Sequence, residues 1–311
     1  MEMIPEHVKK GSERIVITRR GGRILKFFSE STQEKIYIFF SHPLSVLGLV
    51  LVLTWVLVAI FAPIIATHPE DAGPTIHLMA RLQPPSGEHY FGTDHLGRDI
   101  FSRVVIGSRI SILSGFIPIL LALCIGVPLG AIAGFFGGKS ETVIMRSADI
   151  FLSMPTLLLA IAITAALGRS LVNAMLAIIS VWWPYYARIT YGLTLSLKER
   201  TFVEAAHGLG ASRWRIIREH ILPNSASSII VMFTMDLGFG ILTMSSLSFV
   251  GMGAQPPSPE WGLNISIGRA YMPEDWWLTF FPGMAIFMVV LGYNLIGDGL
   301  RDALDPHTRT R

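Results

Sequence analysis

The residue types best suited to chemistry occur in this chain without the spacing that catalysis or metal binding needs. The nine histidines form no H-x-x-x-H or H-E-x-x-H pair, so we predict no metal site. No G-x-S-x-G elbow is present, and we predict no catalytic residue. The segment 134–140, GFFGGKS, is one residue short of a phosphate-binding loop, which would need glycine in place of Ala133. We therefore expect no cofactor on this chain.

One carboxylate, Asp236, lies deep inside an apolar run of the sequence. Burying an ionisable group in a membrane is costly, so such a residue is a candidate for a functional role, here in a translocation path. The alternative is structural. In that case the carboxylate bonds to backbone or to a neighbouring helix, or faces a wet cavity. The sequence leaves both interpretations open.

The composition indicates that lipid surrounds much of the chain. A soluble domain carries about 25% charged residues, whereas this chain of 311 residues carries 15% and is 51% hydrophobic. Its mean hydropathy is +0.53. These values exclude disordered, collagen-like and disulfide-rich classes, and the lone cysteine, Cys124, has no internal partner for a disulfide. The net charge of +3 is too small to argue for a nucleic-acid partner.

The apolar runs predict an all-α integral membrane protein with six transmembrane helices. A spanning helix needs about 20 mostly apolar residues. The runs that meet this length are 46–66, 110–135, 150–167, 171–190, 227–251 and 279–300. Within the second run, Gly126, Gly130 and Gly134 recur every four residues. This spacing places them on one face and favours close packing against another helix.

The distribution of basic residues predicts the orientation. With the N-terminus in the cytoplasm, 19 of the 25 lysines and arginines fall on the inner side and six on the outer side. Basic residues concentrate on the cytoplasmic side of membrane proteins, so both termini are predicted to be cytoplasmic. No cleavable signal peptide is expected, because the first long apolar run begins only near Leu44.

The polar segment 201–224 predicts two short helices separated by a bend. Residues 204–206 are good helix formers, and Gly208 and Gly210 permit a sharp turn. Ser212 can cap the next helix, and Pro223 is expected to restart the chain toward the fifth span. Such an element would transmit force as a small rigid body, whereas the alternative is an ordinary loop at the membrane surface.

This segment resembles the EAA loop of bacterial ABC-importer permeases. The matching residues, to which the resemblance assigns coupling to an ATPase, are Glu204, Ala205, Ala206, Gly210, Ala211, Leu222 and Pro223. The ending HILPN at 220–224 is similar to that of the dipeptide, oligopeptide and nickel transport family. Further blocks of that family are matched at 91–103, 247–262 and 294–306. The resemblance runs from about residue 91 to 306.

The resemblance implies the type I ABC importer permease fold in a multi-pass protein of the bacterial inner membrane. It also implies four partners: a second, homologous permease chain, two cytoplasmic ABC ATPase subunits and an external substrate-binding protein. ATP and Mg²⁺ would be bound by the ATPases, and this chain would be non-catalytic. The implied cargo is di- or oligopeptides. The alternative cargoes within the same family are nickel chelates, glutathione or another small solute. An alternative of a different class is an ion-coupled secondary transporter.

The resemblance also divides the chain into predicted segments. A basic cytoplasmic segment with an interfacial helix covers 1–43, and the first transmembrane helix covers 44–67. An external loop follows at 68–108. The permease core occupies 109–300, and a cytoplasmic tail occupies 301–311.

The predicted external loop carries two acid–base pairs at i, i+4, Asp94 with Arg98 and Asp99 with Arg103. This order of charges is the favoured one on a helix. The resemblance implies a segment along the outer membrane surface, near the docking site of a binding protein. Alternatively, the pairs are local salt bridges that fix the loop.

In one place the sequence departs from the family. Relatives commonly carry a glutamate three residues before the Leu-Ser-Phe run, and here Met244 occupies that position. Asp236 lies eight residues earlier, about two helical turns along the same span. We therefore hypothesise that Asp236 substitutes for the missing carboxylate.

Overall fold

A computed structural model describes residues 30–304, which form helices and connecting loops with no β-strand among them. The helices are α1 (Glu30–Ser41), α2 (Pro43–Ile60), α3 (Ala62–Ile65), α4 (Ile100–Phe136), α5 (Gly138–Leu152), α6 (Thr156–Leu167), α7 (Leu171–Lys198), α8 (Thr201–Gly208), α9 (Arg213–Ile216), α10 (Leu222–Phe249), α11 (Trp261–Gly268) and α12 (Trp277–Leu304). The all-α prediction is confirmed. Helix α1 lies within the predicted N-terminal segment 1–43, whose residues 1–29 fall outside the described part, as do residues 305–311 of the predicted tail.

Fewer of the described helices are both long enough and apolar enough to cross a membrane than the six that the sequence predicts. Four of the described helices are long and apolar enough: Pro43–Ile60, Ile100–Phe136, Arg213–Phe249 and Trp277–Leu304. A fifth is counted if α5 and α6 together form one bent span. The predicted fourth span belongs to α7, which is 28 residues long but has its apolar run interrupted by the aromatic and proline residues 182–186.

The predicted third span, 150–167, is not a straight helix. It is divided between the end of α5 and the whole of α6, and the two helices meet at an angle of 93°. Pro155 precedes α6, and a proline disfavours helical geometry in the residue before it. Because α6 has 12 residues, it is about 18 Å long, less than the roughly 30 Å of a hydrocarbon core.

The glycines of α4 pack against α7, as their spacing predicts. A Cβ atom at Gly126 would overlap the Trp183 carbonyl oxygen, and one at Gly130 would overlap the Ala187 carbonyl oxygen. At Gly134 the nearest atom would be the Thr194 Cβ, 2.8 Å away. The two backbones therefore approach more closely than any side chain at these positions would allow.

A second pair of close contacts joins α4 to α10. Gly115 of α4 faces Ile241 of α10, and Gly240 of α10 faces Ile119 of α4, each without room for a Cβ atom. Trp261, at the start of α11, is fully buried in the same core, and its indole N–H donates to the Val104 carbonyl oxygen at 2.9 Å. Helix α4 thus holds both α7 and α10 in place.

Candidate functional site

Helix α8 contains the predicted coupling residues Glu204, Ala205 and Ala206, and it ends in a Schellman motif. The Ala211 N–H donates to the Ala206 carbonyl oxygen, and the Gly210 N–H donates to the His207 carbonyl oxygen, each at 3.0 Å. Gly210 has a φ of +82°, the left-handed conformation that this motif requires and that glycine adopts without strain. The four-residue spacing from Ala206 to Gly210 is therefore the spacing of this C-terminal capping motif, which ends the helix. The predicted bend at Gly210 is confirmed.

Buried side chains fix this element to the ends of two long helices. Val203 of α8 packs with Ile216, Ile217 and Ile221 against Phe135 at the end of α4. Three of the predicted coupling residues, Ala206, Ala211 and Leu222, pack around this cluster. The Lys198 ammonium at the end of α7 donates to the Phe135 carbonyl oxygen at 2.9 Å. Residues 201–224 therefore form a rigid unit with the bundle.

The second predicted helix begins as expected. Ser212 accepts the Arg215 N–H at 3.3 Å and so caps α9. However, Pro223 does not start a separate helix, because α9, a π turn at Ile217–Ile221 and α10 form one helix of 37 residues. In the π turn the Leu222 N–H donates to the Ile217 carbonyl oxygen, five residues back. This wider turn admits a proline, whose ring clashes with the carbonyl four residues back in a regular α-helix.

The outer face of the element is exposed and partly apolar. Glu204 and Ala205 are exposed on α8, and Leu209 at the bend is 89% exposed. Trp214 is 61% exposed and packs its ring near Phe136. The outer face of this element therefore presents both apolar and charged side chains to its surroundings.

The membrane-embedded candidate Asp236 lies between α10 and α7. It is half-buried and interacts with the Trp182 and Tyr186 side chains of α7. One carboxylate oxygen is buried without a hydrogen bond of normal geometry, and the same holds for the Tyr186 hydroxyl and for Thr190 one turn later on α7. The structure thus brings the polar groups of Asp236, Trp182 and Tyr186 together between α10 and α7.

Met244 has different surroundings. It is 1% exposed and lies in the main apolar core, where a side chain of its shape fills the space. The substitution of Asp236 for a carboxylate at this position stays a prediction.

Glu260 is a buried carboxylate that the sequence analysis missed. It is fully buried before α11, and its oxygens accept the N–H groups of Gly262 and Leu263 at 3.0 and 2.8 Å. Burial raises the pKa of the Glu260 carboxyl, and the two backbone N–H groups oppose this shift. A carboxylate directly before a helix start was the available signal, since acceptors at that position cap helices.

The loop between α3 and α4 (residues 66–99, the α3–α4 loop) contains the Asp94–Arg98 pair. The ion pair is confirmed, with an N–O distance of 2.7 Å, but it lies in a turn and not in a helix. Asp94 also accepts the N–H groups of Leu96 and Arg98. Because both charged residues are buried, this is a structural pair that fixes the loop.

The predicted Asp99–Arg103 pair is wrong. Asp99 is the N-cap of α4 and accepts the Ser102 N–H at 2.8 Å, so its carboxylate points at the free end of the helix. Arg103 instead donates to the Asn264 Oδ1 at 2.9 Å and to the Ser258 carbonyl oxygen at 3.0 Å. The arginine therefore joins the start of α4 to the segment around α11.

Comparison with known families identifies the chain. The family model described as "Binding-protein-dependent transport system inner membrane component" matches residues 126–310. The chain belongs to this family of ABC transport permeases. A second model, "N-terminal TM domain of oligopeptide transport permease C", matches residues 32–85. Both matches agree with a multi-pass protein of the inner membrane.

Individual relatives cover most of this permease. It is 48% identical to a probable D,D-dipeptide transport system permease protein of Escherichia coli K12 over 264 residues, which are 85% of this chain and 88% of the relative. It is 46% identical to a dipeptide transport system permease protein of Alkalihalophilus pseudofirmus, over 86% and 88% of the two chains. A glutathione transport system permease protein of Pectobacterium atrosepticum is 46% identical over 73% of this chain and 75% of its own length.

A solved structure confirms the fold. A chain of the inward-facing MetNI methionine ABC transporter matches this permease with a TM-score of 0.54 at 19% identity. The match covers 66% of this chain and 98% of that chain. The fold is therefore that of a type I ABC importer permease. The side of the membrane on which each terminus lies stays a prediction.

Proposed function

We propose that this permease carries di- or oligopeptides across the inner membrane, together with a second, homologous permease chain. An external substrate-binding protein delivers the cargo. Two cytoplasmic ABC ATPase subunits bind ATP and Mg²⁺ and supply the energy, and this chain catalyses no reaction. The dipeptide relatives support the cargo, and membership of the ABC permease family supports the ATPase partners.

The observation that carries the coupling proposal is the geometry of residues 201–224. Helix α8 presents Glu204 and the bend presents Leu209, while buried residues fix the unit to α4 and α7. The helix that follows runs without interruption from Arg213 to Phe249. Asp236 lies 23 residues along it, about 35 Å from its start. A displacement of the loop by an ATPase therefore moves the middle of the bundle.

The proposal is tested by measuring which energy source drives transport. We expect inverted membrane vesicles that contain the whole transport system to move a labelled dipeptide only when ATP and Mg²⁺ are present on the ATPase side. Collapse of the proton gradient with an ionophore is expected to leave that transport unchanged. Transport that follows a pH gradient without ATP would instead support an ion-coupled secondary transporter.

Glutathione is a second candidate cargo, because the relative from Pectobacterium atrosepticum is a glutathione permease protein at 46% identity. Competition separates the two candidates. Unlabelled dipeptide in excess is expected to abolish uptake of the labelled dipeptide, and glutathione in equal excess is expected to leave it unchanged. The reverse result would assign glutathione as the cargo.

A further inference from the structure

The α3–α4 loop brings together three residues with metal-ligating side chains that are far apart in the sequence. The His89 Nδ1 lies 3.0 Å from one carboxylate oxygen of Asp99, and the His68 Nδ1 lies 4.0 Å from the other. All three ligand atoms fall within 4.8 Å of one another, and the two imidazole rings are 5.0 Å apart at their centroids. The sequence predicted no metal site here, because the three residues are separated by 21 and 10 positions.

These distances fit a tetrahedral divalent ion. Zn²⁺ binds imidazole nitrogen and carboxylate oxygen at about 2.0–2.2 Å, which places neighbouring ligand atoms about 3.4 Å apart. The His89–Asp99 separation of 3.0 Å is close to that value. All three ligand atoms lie within 4.8 Å of one another, so shifts of about 1.4 Å or less bring the remaining separations to it. Two nitrogens and one oxygen form a donor set that suits Zn²⁺ and not Mg²⁺ or Ca²⁺, which prefer oxygen ligands.

The surroundings orient the carboxylate for this role. The Ser102 N–H donates to the Asp99 Oδ2 at 2.8 Å, and the Thr67 hydroxyl donates to the same oxygen at 3.3 Å. Such contacts hold a carboxylate in position and tune its basicity. Asp99 and His89 are buried, whereas the His68 side chain is 33% exposed, which leaves a path for an ion from solvent.

We propose that His68, His89 and Asp99 bind one Zn²⁺ ion, with a water molecule in the fourth position. The ion links three parts of the chain: His68 shortly after α3, His89 in the middle of the α3–α4 loop, and Asp99 at the N-cap of α4. It therefore clamps the loop onto the start of α4. A direct His89–Asp99 hydrogen bond, with His68 beside it, is the alternative arrangement of the same residues.

A second histidine–aspartate pair in the loop provides the matched control. The His77 Nε2 lies 3.0 Å from the Asp71 carboxylate, the same separation as His89 from Asp99. His77 is half-exposed, and no third metal-ligating side chain completes a cluster with this pair among residues 30–304. A loss of metal that is specific to the proposed site must spare the His77→Gln variant.

Metal content tests the site on the full-length chain, purified in detergent through a tag without histidine. After treatment with a chelator and equilibration with micromolar Zn²⁺, we expect one equivalent of zinc per chain by mass spectrometry. His68→Gln and His89→Gln are expected to bind at least tenfold more weakly, and His77→Gln is expected to bind as the parent does. His68 is partly exposed, so its variant is expected to keep the fold.

Cobalt gives an independent spectroscopic readout of the same site. Co²⁺ in a tetrahedral site absorbs visible light strongly, and we expect this band in the parent and in His77→Gln but not in His68→Gln. Folding of every variant is checked by its elution as a single species in detergent. The proposal is overturned if the parent retains no zinc. It is also overturned if folded His68→Gln and His89→Gln retain as much zinc as the parent. Either result would favour the hydrogen-bonded alternative.

Discussion

At the scale of single residues, Gly210 has a left-handed backbone conformation and is also one of the residues proposed to couple the permease to its ATPases. Its φ of +82° costs a residue with a side chain about 1–3 kcal/mol, and a Cβ atom there would have no neighbour within 4 Å among residues 30–304. We expect Gly210→Val to reduce ATP-driven uptake at least tenfold while the spans still insert. The measurement is dipeptide uptake, together with the amount of the chain in the membrane.

Two variants separate backbone strain from bulk at this position. Asparagine tolerates the left-handed conformation, so Gly210→Asn is expected to keep more uptake than Gly210→Val. Gly208→Ala is the matched control, since Gly208 lies in α8, where a Cβ atom has open space and alanine favours helix. Full uptake by Gly210→Val would contradict the coupling role of the bend.

Asp236 allows a second residue-scale prediction. Asp236→Asn keeps the shape of the side chain but removes its charge next to Trp182 and Tyr186. We expect at least a tenfold loss of peptide uptake with normal assembly, because an ionisable side chain inside a membrane span is costly and is by default a candidate for function. Asp236→Leu is expected to assemble as well. If Asp236→Asn transports normally and Asp236→Leu assembles, the residue has no role in the path.

The sequence predicted those residue-scale features that depend on local chemistry. The bend at Gly210 and the cap at Ser212 follow from the conformations that glycine and serine favour, and both are present. The partners of Arg103 were not predictable, because Asn264 lies 161 positions away and only the packed bundle brings it near. The cluster of His68, His89 and Asp99, for which we propose zinc binding, was not predictable for a similar reason, because the folded loop brings the three residues together.

At the scale of helices, the contact between α4 and α7 sets the next prediction. A side chain at Gly130 must displace the Ala187 backbone, which a packed helix cannot yield cheaply. We expect Gly130→Val to lower the melting temperature in detergent by several degrees, in line with the roughly 1–3 kcal/mol that overpacking costs. Gly192→Ala, on α7 with open space around it, is the control and is expected to melt as the parent does. Equal melting temperatures for Gly130→Val and the parent would contradict the close approach.

The helices also show where hydrophobic patterning stops being informative. The run 150–167 has the length and composition of a span, yet the chain turns by 93° before Pro155. Conversely, α7 is one continuous helix, but tryptophan, proline and tyrosine residues interrupt its apolar run. The polar groups of Trp182 and Tyr186 on this helix interact with Asp236 of α10. Composition alone therefore does not fix where a helix ends: a single proline breaks the apolar run 150–167, and the polar face of α7 depends on the neighbouring helix α10.

At the scale of the whole molecule, one helix connects the coupling element to the centre of the bundle. Arg213–Phe249 is continuous, and its close contacts join it to α4, which packs in turn against α7. The coupling proposal therefore requires that the exposed end of this unit contacts another polypeptide. Leu209, 89% exposed at the bend, is the position where that contact is expected.

Cysteine cross-linking in intact cells measures this contact. The chain has one cysteine, so Cys124→Ala provides a background in which Leu209→Cys is the only thiol. We expect a bifunctional thiol reagent to join Leu209→Cys to an ABC ATPase subunit, because an exposed apolar side chain at a tip is suited to insertion into a groove on a partner. Ile64→Cys, on α3 and 81% exposed, is the control. We expect no cross-link from it to an ATPase, because α3 packs near the start of α4, at Val105, whereas the coupling element packs at Phe135, at the end of α4. A transporter that assembles with its ATPases but never cross-links at position 209 would show that coupling uses another surface.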